Sequence, residues 1–516
     1  MPLDGYLQRD VVAWRDFPTA LAYSLRADVT GAGAGSAVTE TPLTTPLQSI
    51  GGVAAFVAPA EDDAAPSSSS SSTALPSPPP SPSLWVFHRG AHTWDANTFD
   101  PVSYLMRDEA DAANRAPAWP SVFRVDRDSG AVIPNSAFGG RFGSGDSSAA
   151  SSNSNAAVAA FPGVRMPHSV AASPDGAAVW VVDAGAHQVH RFGASGTDAQ
   201  RVPLLTIGVR NQPGGRARHQ SGGGEGREGW TYAEPDAADA AHTHLCQPTH
   251  AVEARDGRVY IADGYCASRV LVFDAATGRR LATWPLFAPA SSSPSASASS
   301  SPSNRHLNGV HPLPHSLAIG ECERLLFVAD RELARIVALD LDTGAERWAV
   351  STWTRQGGGG GLPFALRVGP YGSILALVWD RDGKRTGVAS SSSSSGSDGS
   401  AATTASILVF DASEHFANGL VTESKLKSEY PLPGVTAPHD FAVIAAPLSV
   451  CGSGERRLAV VVAETLPLAP ASASASASGS AANNALAGLK KFVFRPADEA
   501  RAAYPMPQSR NTEVHH

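Results

Sequence analysis

Charge is scarce in this chain. Asp, Glu, Lys and Arg make up 17% of its 516 residues, against roughly a quarter in an ordinary soluble domain. The net charge of −8 is spread out, with no basic stripe of the kind nucleic acid requires and no block of like charges to form an interaction tail. Long apolar runs are missing too. No stretch of 18 apolar residues occurs, which excludes a membrane-spanning helix. Cysteine is equally sparse: four residues are too few for a disulfide scaffold and lack zinc-finger spacing. The first residues, MPLDGYLQRDVVAWRDF, carry charges where a signal peptide needs an apolar segment. The chain is therefore either cytosolic or a mature or incomplete form.

What fills the gap is Ser, Ala and Gly. Tracts such as SSSSSS at Ser67, SSSPSASASSSPS from Ser291, SSSSSSGSDGS from Ser390 and ASASASASGS from Ala471 hold too little apolar surface to offset ordering entropy, and are expected to be disordered surface loops. With 42% hydrophobic residues, the remainder can still bury a large core.

That remainder repeats. The clearest copies are PHSVAASPDGAAVWVVDAGAHQVHRFGASG from Pro167, PTHAVEARDGRVYIADGYCASRVLVFDAATG from Pro248 and PHSLAIGECERLLFVADRELARIVALDLDTG from Pro314. Each is a proline, a short alternating apolar run, a turn, an aromatic-Val-x-Asp strand and a further strand. Weaker copies start at Ile50 (IGGVAAFVAP, LWVFHRG, SVFRVDRDSG), Leu362 (LPFALRVGPYGSILALVWDRDG, SILVFDASE) and Pro438 (PHDFAVIA, RRLAVVVAE, LKKFVF). Period-2 alternation, Gly-bearing turns and almost no helical periodicity argue for antiparallel sheets. Three or four strands repeated six times predict an all-β, six-bladed β-propeller, which leaves only short edges, with the polar tracts as loop insertions. The copies resemble the NHL repeat. The propeller is expected over residues 49–497, preceded by an N-terminal segment, 1–48, that completes the outer propeller, and followed by a tail, 498–516.

Pro-His opens the first strand of copies two, four and six, at His168, His315 and His439. The equivalent positions in copies three and five are Thr249 and Phe364. Alternate blades of a six-bladed ring stand about 120° apart, so three imidazoles would converge on the axis. That is the arrangement of a three-histidine zinc site with one position left open. A histidine merely replacing a small polar residue would not need this alternation.

Hairpin pairing puts the residues just past each second strand at the same rim as the start of the first. These are Arg89, Tyr265 and Arg331. Arg89 and Arg331 share one offset in opposite copies and suit a substrate carboxylate, which guanidinium binds in bidentate fashion. Cys246 and Cys266 reach that rim too. They either bond, fixing the loop that carries Tyr265, or remain two buried thiols. Cys322 and Cys451 fall in turns of non-adjacent copies and are not paired.

At these residues the chain resembles the peptidyl-α-hydroxyglycine α-amidating lyases, the second catalytic domain of many peptide-amidating monooxygenases. The matching stretches are VFHRGAHTWDANTFD, MPHSV with WVVDAGAHQV, HLCQPT with ADGYCASRV, PHSLAI with VADRELARI, and APHDF. The resemblance implies zinc on His168, His315 and His439. It also implies a structural calcium on the Asp440 carboxylate and the backbone carbonyls of Val53 and Val170. Cys246 and Cys266 match the family's first disulfide, and with it a secretory-lumen or extracellular location is expected. The implied reaction cleaves a peptide ending in α-hydroxyglycine into an amidated peptide and glyoxylate. Tyr265 would be the base, and Arg89 and Arg331 would hold the carboxylate. Such a chain is expected to act as a monomer, without nucleic acid, on peptides hydroxylated by a copper monooxygenase in another chain or a longer precursor. It departs from the family at Ala437, where the family has methionine, and at Phe327, where a second disulfide's cysteine would stand. It departs again at His250, which replaces an acidic residue. The rival readings are a non-catalytic NHL propeller binding proteins through its face, and a calcium-centred propeller hydrolase, which would need carboxylates rather than histidines.

Overall fold

The structure is a computed structural model. It describes residues 12–13, 22–24, 41–43, 50–56, 83–89, 98–100, 103–107, 121–126, 133, 163–194, 202–214, 217–220, 229–232, 244–286, 312–320, 324–353, 361–369, 373–380, 404–411, 426–432, 435, 437–445, 458–465 and 489–494. The Ser/Ala tracts, Cys322, Cys451 and the C-terminal tail lie outside these residues. Among the described residues all regular structure is β-strand, and no helix is long and apolar enough to cross a membrane.

Copies two to six each contribute an antiparallel meander. Copy two runs Pro167–Ala172, Ala178–Asp183, Gln188–Gly193 and Leu205–Ile207; copy three His250–Glu253, Arg258–Asp263, Arg269–Asp274 and Arg280–Pro285. Copy four runs Pro314–Gly320, Leu325–Asp330, Arg335–Asp340 and Glu346–Ser351; copy five Leu362–Val368, Ser373–Asp380, Thr404–Asp411 and Leu426–Pro431. Each of these is a four-stranded sheet. Copy six, with Pro438–Ala445, Leu458–Glu464 and Leu489–Phe494, reaches four strands because Val12–Ala13, from the other end of the chain, pairs with its last strand. Copy one contributes three strands, Ile50–Phe56, Ser83–His88 and Ser121–Asp126. The first strands pack neighbour against neighbour, and copy six packs back on copy one. The sheets thus stand in a propeller arrangement.

The core lies between sheets rather than inside any one of them. Strand Ala178–Asp183 shows why: Val179 and Val181 pack with Trp85 and Phe87 of copy one, while Trp180 and Val182 pack with Val259 and Ile261 of copy three. Alternate side chains leave opposite faces of a strand, and both faces are covered here. The middle strands therefore read as unbroken apolar runs.

In five of the six copies the entry to the first strand is irregular in a repeated way. The register with the second strand shifts between Ile50 and Gly52, Pro167 and Ser169, Pro314 and Ser316, Pro363 and Ala365, and Pro438 and Asp440. A proline cannot donate to the ladder, and a bulge re-aims the residue it leaves unpaired. The re-aimed residues are Gly51, His168, His315, Phe364 and His439. In copy one only glycine fits, since a Cβ on Gly51 would meet the Phe87 ring at 2.4 Å.

The aspartate ending the second strand clamps the approach to the first. Asp183 Oδ1 accepts the Met166 N–H at 2.8 Å, Asp263 Oδ1 that of Cys246 at 2.6 Å, and Asp330 Oδ1 that of Leu313 at 2.9 Å. In copy six Glu464 does the same for Ala437 at 3.3 Å.

Candidate metal centre and active site

The bulges bring His168, His315 and His439 together. Their ring centroids lie 4.8, 4.7 and 5.2 Å apart, and one ligand nitrogen of each lies within 4.8 Å of the others. All three side chains are buried. Each Nδ1 meets the backbone carbonyl of the corresponding residue in the next copy: His168 that of Thr249 at 2.6 Å, His315 that of Phe364 at 2.6 Å, and His439 that of Gly51 at 2.5 Å. A carbonyl oxygen can only accept, so Nδ1 carries the proton and Nε2 presents its lone pair. Burial holds all three imidazoles well below their ordinary pKa, reinforced by neighbouring histidines and arginines. They are neutral at physiological pH. Three neutral nitrogens with their tautomers set by second partners are a fitting donor set for zinc.

Tyr265 and the two arginines join them. The Tyr265 hydroxyl lies 3.0 Å from His168 Nε2 and 3.5 Å from His315 Nε2. Arg331 donates to that hydroxyl from Nη1 at 3.3 Å and is steadied by Glu332, at 2.6 and 2.9 Å. Its guanidinium carbon also sits 5.3 Å from the Phe364 ring. Arg89 lies deeper: it donates from Nε to the Pro167 carbonyl at 3.1 Å, with Nη2 3.4 Å from His439 Nε2. Burial pulls its guanidinium down to about 10, against the opposing pull of Tyr265. Cys246 and Cys266 are joined as a disulfide, with Cα atoms 5.5 Å apart, on the loop that carries Tyr265.

The axial calcium set assembles differently from the expectation. Asp440 and Val53 do meet, the Val53 N–H donating to Asp440 Oδ2 at 3.2 Å. Between them, however, stands Arg367, whose Nη2 donates to Asp440 Oδ1 at 2.6 Å and to the Val53 carbonyl at 3.3 Å. Val170 is buried in the core between copies one and two. Calcium takes six to eight oxygen ligands, several of them carboxylates. A guanidinium on two of the three proposed ligands does not fit it.

Several contributors escaped the sequence reading. The carbonyls of Thr249, Phe364 and Gly51 left no signal, because every residue has one. Glu332 was legible only as the neighbour of Arg331. Of the departures, Phe327 packs in the core between copies four and five. Ala437 is buried directly before His439.

No protein-family model matches the chain. It is 28% identical over 260 residues to peptidyl-alpha-hydroxyglycine alpha-amidating lyase 2 of Drosophila melanogaster, covering 50% of this chain and 45% of that one. It is 30% identical over 264 residues to the peptidyl-glycine alpha-amidating monooxygenase of Mus musculus, covering 51% of this chain and 20% of that one. With the probable peptidyl-alpha-hydroxyglycine alpha-amidating lyase pgal-1 of Caenorhabditis elegans it shares 30% over 171 residues, 33% of this chain and 36% of that one. The chain thus spans less than half the length of each of these relatives. The chain is thus similar, over a third to a half of its length, to proteins named as peptidyl-α-hydroxyglycine α-amidating lyases and peptidyl-glycine α-amidating monooxygenases.

Proposed function

We propose that the chain is a zinc-dependent lyase that cleaves peptidyl-α-hydroxyglycine into a C-terminally amidated peptide and glyoxylate. The observation that carries this reading is the alternation of histidine and carbonyl around the axis, which leaves three Nε2 lone pairs facing one point beside Tyr265. A protein-binding scaffold has no use for three buried imidazoles whose tautomers are individually set.

Zinc on His168, His315 and His439 would supply a Lewis acid that polarises the substrate hydroxyl. The remaining work falls to the chain. Arg89 and Arg331 hold the carboxylate of the hydroxyglycine, so that the scissile C–N bond lies beside Tyr265. Tyr265 Oη accepts the hydroxyl proton as the C–O bond becomes the aldehyde of glyoxylate. The electron pair of the breaking C–N bond goes to the amide nitrogen, and a proton returned from Tyr265 completes the amide. Glu332 keeps Arg331 from swinging away between turnovers.

The three-stranded sheet of copy one serves as a blade alongside the five four-stranded ones, making the propeller six-bladed over residues 49–497, with the strand Val12–Ala13 of the N-terminal segment closing copy six. The disulfide supports an oxidising compartment, in the secretory lumen or outside the cell. There a monomeric lyase would receive its hydroxylated peptide from a copper monooxygenase.

The test is glyoxylate release from α-hydroxyhippurate, with zinc content measured on the same sample. About one zinc per chain, with turnover lost on chelation and regained with zinc, is expected. A folded, zinc-free protein without turnover would leave the scaffold reading in its place.

A further inference from the structure

Below the three histidines, a second polar group ties copies one, five and six together across the axis. Asp440 of copy six is buried, and both its oxygens are engaged. Oδ2 takes the Val53 N–H of copy one; Oδ1 takes the Phe441 N–H at 2.8 Å and Arg367 of copy five at 2.6 Å. Arg367 donates onward to the Val53 carbonyl and, from Nη1, to the Leu366 carbonyl at 2.7 Å. Its guanidinium carbon lies 5.4 Å from the Phe441 ring. One cation therefore satisfies a carboxylate and a carbonyl from two other copies, which is the task of an axial metal ion.

The charge around it agrees. His250 of copy three is buried, and its Nδ1 accepts the Leu317 N–H of copy four at 3.3 Å. Burial, with Arg367 nearby, keeps this imidazole neutral. The charge that faces the Asp440 carboxylate is the Arg367 guanidinium. Asp440 and Arg367 then compensate each other, and a divalent cation would meet a guanidinium instead of an open carboxylate.

We infer that Arg367 is a built-in replacement for the axial calcium, so that the propeller closes without binding that ion. The inference goes beyond the lyase reading and does not depend on whether the three histidines hold zinc. The two can fail separately.

The test uses the full chain, dialysed into calcium-free buffer with micromolar zinc so that the histidine site is undisturbed. Elemental analysis should find less than about 0.1 calcium per chain, and adding about 2 mM calcium chloride should move the melting temperature by less than about 2 °C. Near-stoichiometric calcium, or a larger upward shift, would overturn the inference. Arg367→Ser should melt lower in calcium-free buffer and be partly restored by calcium, now that Asp440 and the Val53 carbonyl are uncovered. An Arg367→Ser protein as stable as the parent without calcium would equally overturn it. If that variant is not recovered folded, the wild-type titration alone decides. His315→Ala should give the parent's calcium result, which separates this test from that of the zinc site.

Discussion

The Tyr265 hydroxyl oxygen faces two histidine nitrogens and Arg331. Tyr265→Phe keeps the ring and removes that oxygen. If Oη moves the proton, kcat falls by roughly 10²–10⁴ while zinc content is unchanged. A kcat within about threefold of the parent would assign proton removal elsewhere. His88 offers a second test at this scale. It is buried beside the Phe123 ring, and burial lowers its pKa to about 4. The unfolded chain takes up a proton near pH 6.5 that the native state refuses. This contribution is therefore complete above about pH 6.5 and is lost as the pH falls toward 4. Between pH 7.5 and 5 it amounts to about 2 kcal/mol. Denaturant titrations of His88→Gln should show a pH dependence shallower by that amount. An unchanged slope would mean that His88 is protonated in the native protein.

At the scale of the strand, the recurring device is a second strand whose terminal carboxylate pins the start of the first. Asp263 shows it most completely. It accepts the Cys246 N–H and pairs with Arg269 at 2.8 Å, both side chains being almost fully buried. Asp263→Ala strands a buried guanidinium and releases the disulfide-bearing segment next to Tyr265. Breaking a buried pair from one side costs about 3–5 kcal/mol, which urea denaturation would register. A loss below about 1 kcal/mol would show that the clamp is not what holds this hairpin. The aromatic-Val-x-Asp pattern was visible in the sequence as a repeat marker. What the Asp does was not, because its partners are backbone N–H groups some 17 residues away.

For the whole molecule, the ring is held by apolar clusters between successive sheets. None of the three histidines belongs to these clusters. His315→Ala should therefore lose zinc and turnover while keeping the parent's far-ultraviolet circular dichroism and cooperative melting. Near-normal activity in that variant would remove the axial site from the mechanism. Loss of the fold would show that the centre is structural.

The sequence by itself determined the repeats, the all-β class, the alternating Pro-His positions and the rim residues Arg89, Tyr265 and Arg331. Each is written in side-chain identity at regular spacing, and a repeat places equivalent residues at equivalent points of the ring. Tertiary structure alone decided the rest. The Nδ1 acceptors are carbonyls, which have no identity to read, and they set the tautomer only once neighbouring copies are in contact. Arg367 reads as an ordinary polar residue at the end of an alternating strand. Only closure of the ring sets it against Asp440, 73 positions along, and Val53, 314 positions away. A cation's role depends on which charges fold around it, and those charges come from distant copies.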